Sequence, residues 1–303
     1  MNATRPAKLP SGRATACGLG AILLWGALAL LTTLAGPVPP FQMVAMTFAL
    51  GALAGFAVIL GRGRPLGAAL RWPWPVWLLG VGGLFGFHAL YFAALRLAPP
   101  AEANLVNYLW PLLIVLLAAP LAGERLRWWH LGGAALGLGG IGLLALGRGS
   151  LAFAGDHALG YACALGSAIA WALYSVLSRR VGQVPSEAIA GFCAVTAVLA
   201  LVCHLLLETP AWPPGPGAWA AVAALGLGPT GAAFYLWDHA VKRGDIRVLG
   251  ALAYLAPVLS TALLLAFGQV AWSVALGGAT VLVVAGAVLA ARDLLFGDTA
   301  KPE

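Results

Sequence analysis

Long apolar runs alternate with short polar breaks along the whole chain. The runs cover residues 14–34, 41–60, 75–97, 103–122, 128–146, 158–178, 187–207, 218–238, 248–267 and 271–295. Each comes close to the roughly 20 residues that a helix needs to cross the hydrocarbon core. The breaks carry turn formers: Gly36-Pro37-Val38-Pro39-Pro40, Trp72-Pro73-Trp74-Pro75 and Pro213-Pro214-Gly215-Pro216-Gly217. No break could house a soluble domain. The pattern predicts an all-α polytopic membrane protein with ten transmembrane helices. The first run follows a short basic tail of Arg5, Lys8 and Arg13. It exceeds the ~7–15 apolar residues of a signal peptide, so it reads as an uncleaved first span.

Composition sharpens this picture. Of 303 residues 61% are hydrophobic and only 9% are charged, with a mean hydropathy of +0.92. A soluble domain carries about 25% charged residues, so most of this surface must face lipid. The net charge of +7 sits in short basic groups between apolar runs. That is a topological pattern, and no nucleic-acid partner is expected. Of the 17 Lys and Arg, 15 fall on breaks that share a side with the N-terminus, and two, Arg96 and Arg148, on the others. The positive-inside rule then puts both termini in the cytoplasm. Cys17, Cys163, Cys193 and Cys203 lie inside apolar runs without a CxxC. They read as packing residues, with neither a metal site nor a cofactor expected.

The two halves match at an offset of about 146. Trp25 matches Trp171. Ala94-Leu95-Arg96 matches Ala240-Val241-Lys242, and Tyr108-Leu109-Trp110-Pro111 matches Tyr254-Leu255-Ala256-Pro257. After one deletion, Leu131-Gly132-Gly133-Ala134 matches Leu276-Gly277-Gly278-Ala279. The expected units are therefore 1–147 and 148–303, each with five helices. Five is odd, so the second copy enters the membrane from the opposite side. Inverted repeats place a substrate near the midplane, between the halves.

The Tyr-Leu-x-Pro element of the fourth span, the tryptophan in the first helix of each half and the duplicated ten-helix plan resemble the EamA-type branch of the drug/metabolite transporter superfamily, over nearly the whole chain. The segment Asn107-Tyr108-Leu109-Trp110-Pro111, preceded by His88 and Tyr91, is similar to the aromatic amino acid exporters of the bacterial inner membrane. The resemblance implies export of aromatic amino acids and related small neutral or zwitterionic metabolites by alternating access. It also implies a multi-pass inner-membrane location; a monomer is favoured. One departure is that Glu124, which ends the fourth span, is Gln269 in the second half, a difference that bears on gating.

Candidate path-lining residues fall on three spans. His88 and Tyr91 lie at i,i+3, and Phe87 and Tyr91 at i,i+4. Asn104, Asn107, Tyr108 and Pro111 follow i, i+3, i+4, i+7 with Trp110 alongside, and Trp171, Tyr174, Ser175 and Ser178 repeat the pattern. Polar groups facing hydrocarbon are costly, so these faces should turn inward. The expected substrate-binding set is Trp110, His88, Tyr91, Tyr108, Trp171, Phe87, Asn107 and Tyr174, which can stack an aromatic ring. Aromatic side chains are also ordinary membrane filler, and His88 can instead bond a neighbouring carbonyl. Pro111 and Pro257 each remove a helical hydrogen bond, which marks gate or kink points. Asp238 and His239 are expected at the interface.

The motifs Gly137-x-Gly139-x-x-Gly142 and Gly226-x-Gly228-x-x-Gly231 lack the βαβ context of a dinucleotide site and read as packing glycines. Gly51/Gly55, Gly82/Gly86 and Gly133/Gly137 are GxxxG pairs suited to close helix approach. Trp128, Trp129 and Trp272 read as interfacial anchors. Without a cluster of nucleophile, base or metal ligands, no catalytic residue is expected. The alternatives are a broad drug or metabolite exporter of the same fold, a membrane-embedded enzyme and a scaffold.

Overall fold

The computed structural model describes residues 11–146, 155–269, 272–290 and 292. Over these the chain forms α1 Gly12–Leu34, α2 Pro40–Gly61, α3 Trp74–Leu97, α4 Glu102–Ala122, α5 Trp128–Leu146, α6 Gly155–Leu177, α7 Ala188–Leu207, α8 Pro216–Arg243, α9 Ile246–Ala266 and α10 Val274–Ala290. No strand occurs among the described residues. Eight of these helices, all but α5 and α10, are long and apolar enough to cross a membrane. The eighth apolar run is read as ending at 238, yet α8 continues to Arg243, because Asp238 and Lys242 neutralise each other one turn apart. Arg5, Lys8, Arg148, Lys301 and the join at 147/148 lie outside the described residues.

Local chemistry sets the helix ends. Prolines occupy the first turn of α2 and α8, where the missing N–H costs nothing. Glycines in the left-handed region end α4 (Gly123, φ 71°) and follow α9 (Gly268, φ 67°). The next N–H in each case turns back onto the helix, Glu124 to Ala118 O (3.1 Å) and Gln269 to Leu264 O (2.8 Å). Asp245 caps α9 by accepting from the N–H groups of Arg247 and Val248.

Four helices are interrupted at positions related by the internal offset. α4 breaks at Tyr108–Leu109 and α9 at Ala253–Tyr254, just ahead of Pro111 and Pro257. The Ala253 carbonyl is taken up by the Ala256 N–H at 3.1 Å in a tightened turn. α3 and α8 each contain one π-helical turn, Gly82–Gly86 and Gly228–Ala232. In α8 the cause is Pro229, which has no N–H for the Leu225 carbonyl; the Thr230 hydroxyl donates to that carbonyl instead, at 2.9 Å. In α3 the His88 ring takes the Leu84 carbonyl at 2.7 Å. The GxxxG reading of Gly82 and Gly86 fails: a Cβ at either would meet nothing within 4 Å. These glycines sit in the π turn, while Gly80 and Gly83 make the close approaches.

Helix pairing comes in mates. α3 packs on α6 as α8 packs on α1, α4 packs on α6 as α9 packs on α1, and α2 pairs with α7 and α5 with α10. The α5–α10 contact depends on glycine. A Cβ at Gly133 would lie 2.5 Å from Gly286 O and 3.0 Å from Ala290 N, both backbone atoms. Gly133→Ala should therefore force the two helices apart, at a cost of about 1–3 kcal/mol. The check is a lower thermal unfolding midpoint in detergent. Gly139→Ala, where a Cβ meets nothing within 4 Å, should not lower it.

Polar contacts gather the helix ends into two groups. At one end, the Glu124 end, the Ser11 N–H donates to Arg243 O, Arg64 pairs with Glu187 and Arg179 pairs with Glu124. At the other, the Glu208 end, Glu208 accepts from the N–H groups of Phe41 (3.0 Å) and Gln42 (3.1 Å) at the start of α2, and from His204 (3.0 Å). A carboxylate suits a helix N-terminus because the dipole there is positive.

Candidate functional site

Between the two ends, α1, α4, α6 and α8 turn four indoles toward one another. Trp25 lies 5.6 Å from Trp171, 5.1 Å from Trp237 and 6.4 Å from Trp110, centroid to centroid. Trp110 meets Trp171 and Trp237 edge-on at 6.3 and 6.1 Å, and Trp171 stacks parallel to Trp237 at 6.3 Å. Phe234 closes the cage against Trp25 and Trp171, and Phe48 extends it. These separations and angles are the favourable edge and offset arrangements of aromatic pairs. Two indole N–H groups fix the geometry. Trp25 donates to the Pro229 carbonyl inside the α8 π turn at 3.0 Å, and Trp237 donates to Ser175 Oγ at 3.0 Å.

The expected residues take different places around this cage. Trp110 and Trp171 are in it, and Phe87 leans on Trp171 at 5.7 Å. His88 packs edge-on against Phe48 (5.2 Å) and Phe87 (5.1 Å). A carbonyl only accepts, so Nδ1 carries the hydrogen toward Leu84, and in the neutral ring Nε2 is left as an acceptor. Tyr91 stacks on Phe87 (5.8 Å) and donates to Asn104 Oδ1. Asn107 is buried and accepts from Ser167 at 2.6 Å, which ties α4 to α6. Tyr174 lies under Trp171 at 5.2 Å. Tyr108 packs against a second apolar cluster that holds Val115 and Tyr254. Pro111 is buried in α4, where its carbonyl abuts Gly250 of α9.

Trp237, Phe234 and Phe48 are not among the residues expected from the sequence, and Trp25 enters there as a repeat match and through the family resemblance. A signal existed for two of them. Phe234 and Trp237 stand at the repeat positions of His88 and Tyr91, so the polar face of α3 has an aromatic counterpart on α8.

The cage is covered unequally. Toward the Glu208 end, α3 is half-buried from Phe85 through Ala93. Toward the Glu124 end, Phe234, Trp237, Asp238 and Val241 of α8 are all buried. Asp238 is 1% exposed, in the last turns of α8. Its carboxylate meets Lys242 Nζ at 2.8 Å and accepts from Ser186 Oγ at 2.7 Å, while Lys242 also donates to Val184 O at 2.9 Å. Below it, Glu124 pairs with Arg179 (2.9 Å) and Arg247 (3.7 Å), and Arg247 pairs with Asp245 (2.6 Å). Burial pushes the Asp245 carboxyl up, but hydrogen bonds and charge from Arg247 and the N–H groups of Val248 and Arg247 outweigh it and hold it below the usual carboxylate range.

Among the described residues no group of three His, Cys, Asp or Glu could hold a metal ion. The arrangement offers π faces, few and fixed polar groups, and ion pairs at its margins. It suits an aromatic ring carrying small polar substituents.

The profile of the EamA-like transporter family matches residues 13–146 and again 158–292. The chain is 54% identical over 278 residues to the aromatic amino acid exporter YddG of Ancylobacter novellus, covering 91% of this chain and 96% of the relative. It is 30% identical over 256 residues to a probable terminal-alkyne amino-acid exporter of Streptantibioticus cattleyicolor, covering 82% of each chain. One crystal structure aligns with a TM-score of 0.88 at 53% identity, over 94% of this chain and 99% of that one.

Proposed function

The chain belongs to the EamA-like transporter family, and on that premise we propose that it exports aromatic amino acids by alternating access around the four-tryptophan cage. The single observation that carries this reading is the convergence of Trp25, Trp110, Trp171 and Trp237 from four helices, two from each half. Such a cage can exchange its own ring contacts for those of a substrate ring, each pair contributing roughly 0.5–1.5 kcal/mol beyond burial. His88 Nε2, Tyr91, Asn107 and Tyr174 supply polar contacts, Phe87 and Tyr108 supply further aromatic surface, and Pro111 and Pro257 are the kink points about which α4 and α9 move.

In the same reading the chain crosses the bacterial inner membrane ten times as a monomer, with both termini and the Glu124 end in the cytoplasm. The units 1–147 and 148–303 are inverted copies. The two family matches, the mated helix pairs and the 15-to-2 split of basic residues support this.

Reconstitution in liposomes tests the substrate class. Labelled Trp and Phe should move about tenfold faster than Leu or a cationic drug, the equivalent of ~1.4 kcal/mol. Leu moving as fast as Phe would defeat aromatic selectivity. For topology, impermeant thiol probes should reach cysteines placed at residues 5 and 301 from the same face, and opposite faces would defeat the ten-span count.

A further inference from the structure

We propose that Asp238 and Lys242, with the Tyr174 hydroxyl, form a station for the ammonium and carboxylate groups of the amino-acid substrate, on the Glu124 side of the tryptophan cage. The proposal rests on the transport reading above and deepens it.

Two full charges are buried here, with side chains 2% and 3% exposed. Desolvating two ions is expensive, and a buried pair is often no more stabilising than apolar residues of the same size. Stability alone therefore gives little reason to keep the pair, whereas a zwitterion does. An ammonium and a carboxylate 2.8 Å apart match the opposite order of charges on an amino acid. A third polar group stands beside the pair. The Tyr174 hydroxyl is buried and directed toward Asp238 and Ser178. A buried hydroxyl beside the pair can pass its hydrogen bond to a substrate carboxylate. Tyr174, Ser178, Asp238 and Lys242 line one small void of about 10 Å³, room for a single water at most.

The station adjoins the cage. Tyr174 packs under Trp171, and Trp237 directly precedes Asp238 in α8. Its cover is α3, pressed down at two glycines. A Cβ at Gly80 would lie 2.4 Å from the Phe192 ring, and one at Gly83 would lie 2.5 Å from Tyr174 Cβ. The α3 π turn begins between them, at Gly82. Displacing this segment of α3 uncovers the pair and the hydroxyl together, beside the aromatic rings that receive the side chain.

The test uses the full-length protein in liposomes and compares Trp with tryptamine, which lacks the carboxylate, and indole-3-propionate, which lacks the ammonium. The wild type should prefer Trp over either analogue by tenfold or more. Tyr174→Phe should raise KM for Trp about threefold to tenfold. The neutral pair Asp238→Asn/Lys242→Met should reduce the preference for Trp over both analogues to within about twofold. Preference for Trp over Leu should survive in both variants, because the cage is untouched. A merely structural ion pair would lower stability without moving the analogue preference. An unchanged KM and preference in Tyr174→Phe, which keeps its ring, overturns the proposal even if the pair variant does not fold. Tryptamine carried by the wild type as well as Trp also overturns it. If the wild type carries Trp and Leu alike, the aromatic reading fails, and the station is then judged on Leu against isopentylamine.

Discussion

Trp171→Ala should abolish transport, with a loss of at least about a hundredfold in the rate for labelled Trp. The indole touches Trp25, Trp110, Trp237, Phe87, Phe234 and Tyr174, more ring partners than any other residue of the cage. It is 4% exposed, so truncation leaves a cavity as well as lost contacts. Buried Trp→Ala changes cost about 3–5 kcal/mol, and every 1.4 kcal/mol is about tenfold. Folding and function are separated by Trp171→Phe, which keeps an apolar ring at the site. That variant should retain most of the thermal stability yet lose roughly tenfold in transport of Trp, since the indole's second ring is missing from the stack. Trp171→Ala transporting at more than a third of the wild-type rate would remove the cage from the substrate path.

The second large effect concerns which end opens. Glu124, just past α4, binds Arg179, just past α6, and Arg247 of α9, so one carboxylate joins the ends of three helices. Its repeat counterpart, Gln269, is exposed, and its side chain donates to Phe267 O in its own turn at 3.4 Å. Gln269 carries no charge with which to build the same clamp at its own end. Glu124→Gln removes the charge and weakens two charge-assisted contacts, about 1.5–3 kcal/mol in all. The open population of the Glu124 end should then rise about tenfold to a hundredfold. A thiol introduced by Ser178→Cys, in a background without the four native cysteines, reads this directly, because Ser178 is 2% exposed beside the clamp. Its labelling should accelerate by that factor in Glu124→Gln. Arg96→Gln, which loosens an ion pair of a half-exposed arginine at the other end, should leave it nearly unchanged. Equal labelling rates with and without Glu124 would show that the clamp does not hold that end shut.

Some of the site was legible in the sequence and some was not. Trp110 and Trp171 stood out because bulky aromatic residues sat among polar ones at helical spacing, and both are in the cage. Phe234 and Trp237 are marked in the sequence by their repeat match to His88 and Tyr91 in the other half. Asp238 near a helix end is expected at the interface, and the sequence is silent on its burial within the protein. Lys242 one turn on was visible, but the chain between α6 and α7, which covers both through Ser186 and Val184, was not. Gly82 and Gly86 match a packing motif, yet an added Cβ at either would meet nothing within 4 Å.

The sequence by itself determined the helical class, the approximate bounds of the apolar helices, the repeat and the places where prolines interrupt it. These depend on span length, on charge at the breaks and on missing N–H groups, all of which are local to the chain. Only the tertiary structure decided which rings meet, which ion pair is covered and which end is clamped. Those outcomes depend on how far each helix is turned about its own axis and on which neighbour it finds, and a string of apolar residues, nearly uniform around the helix, leaves both free until the helices pack.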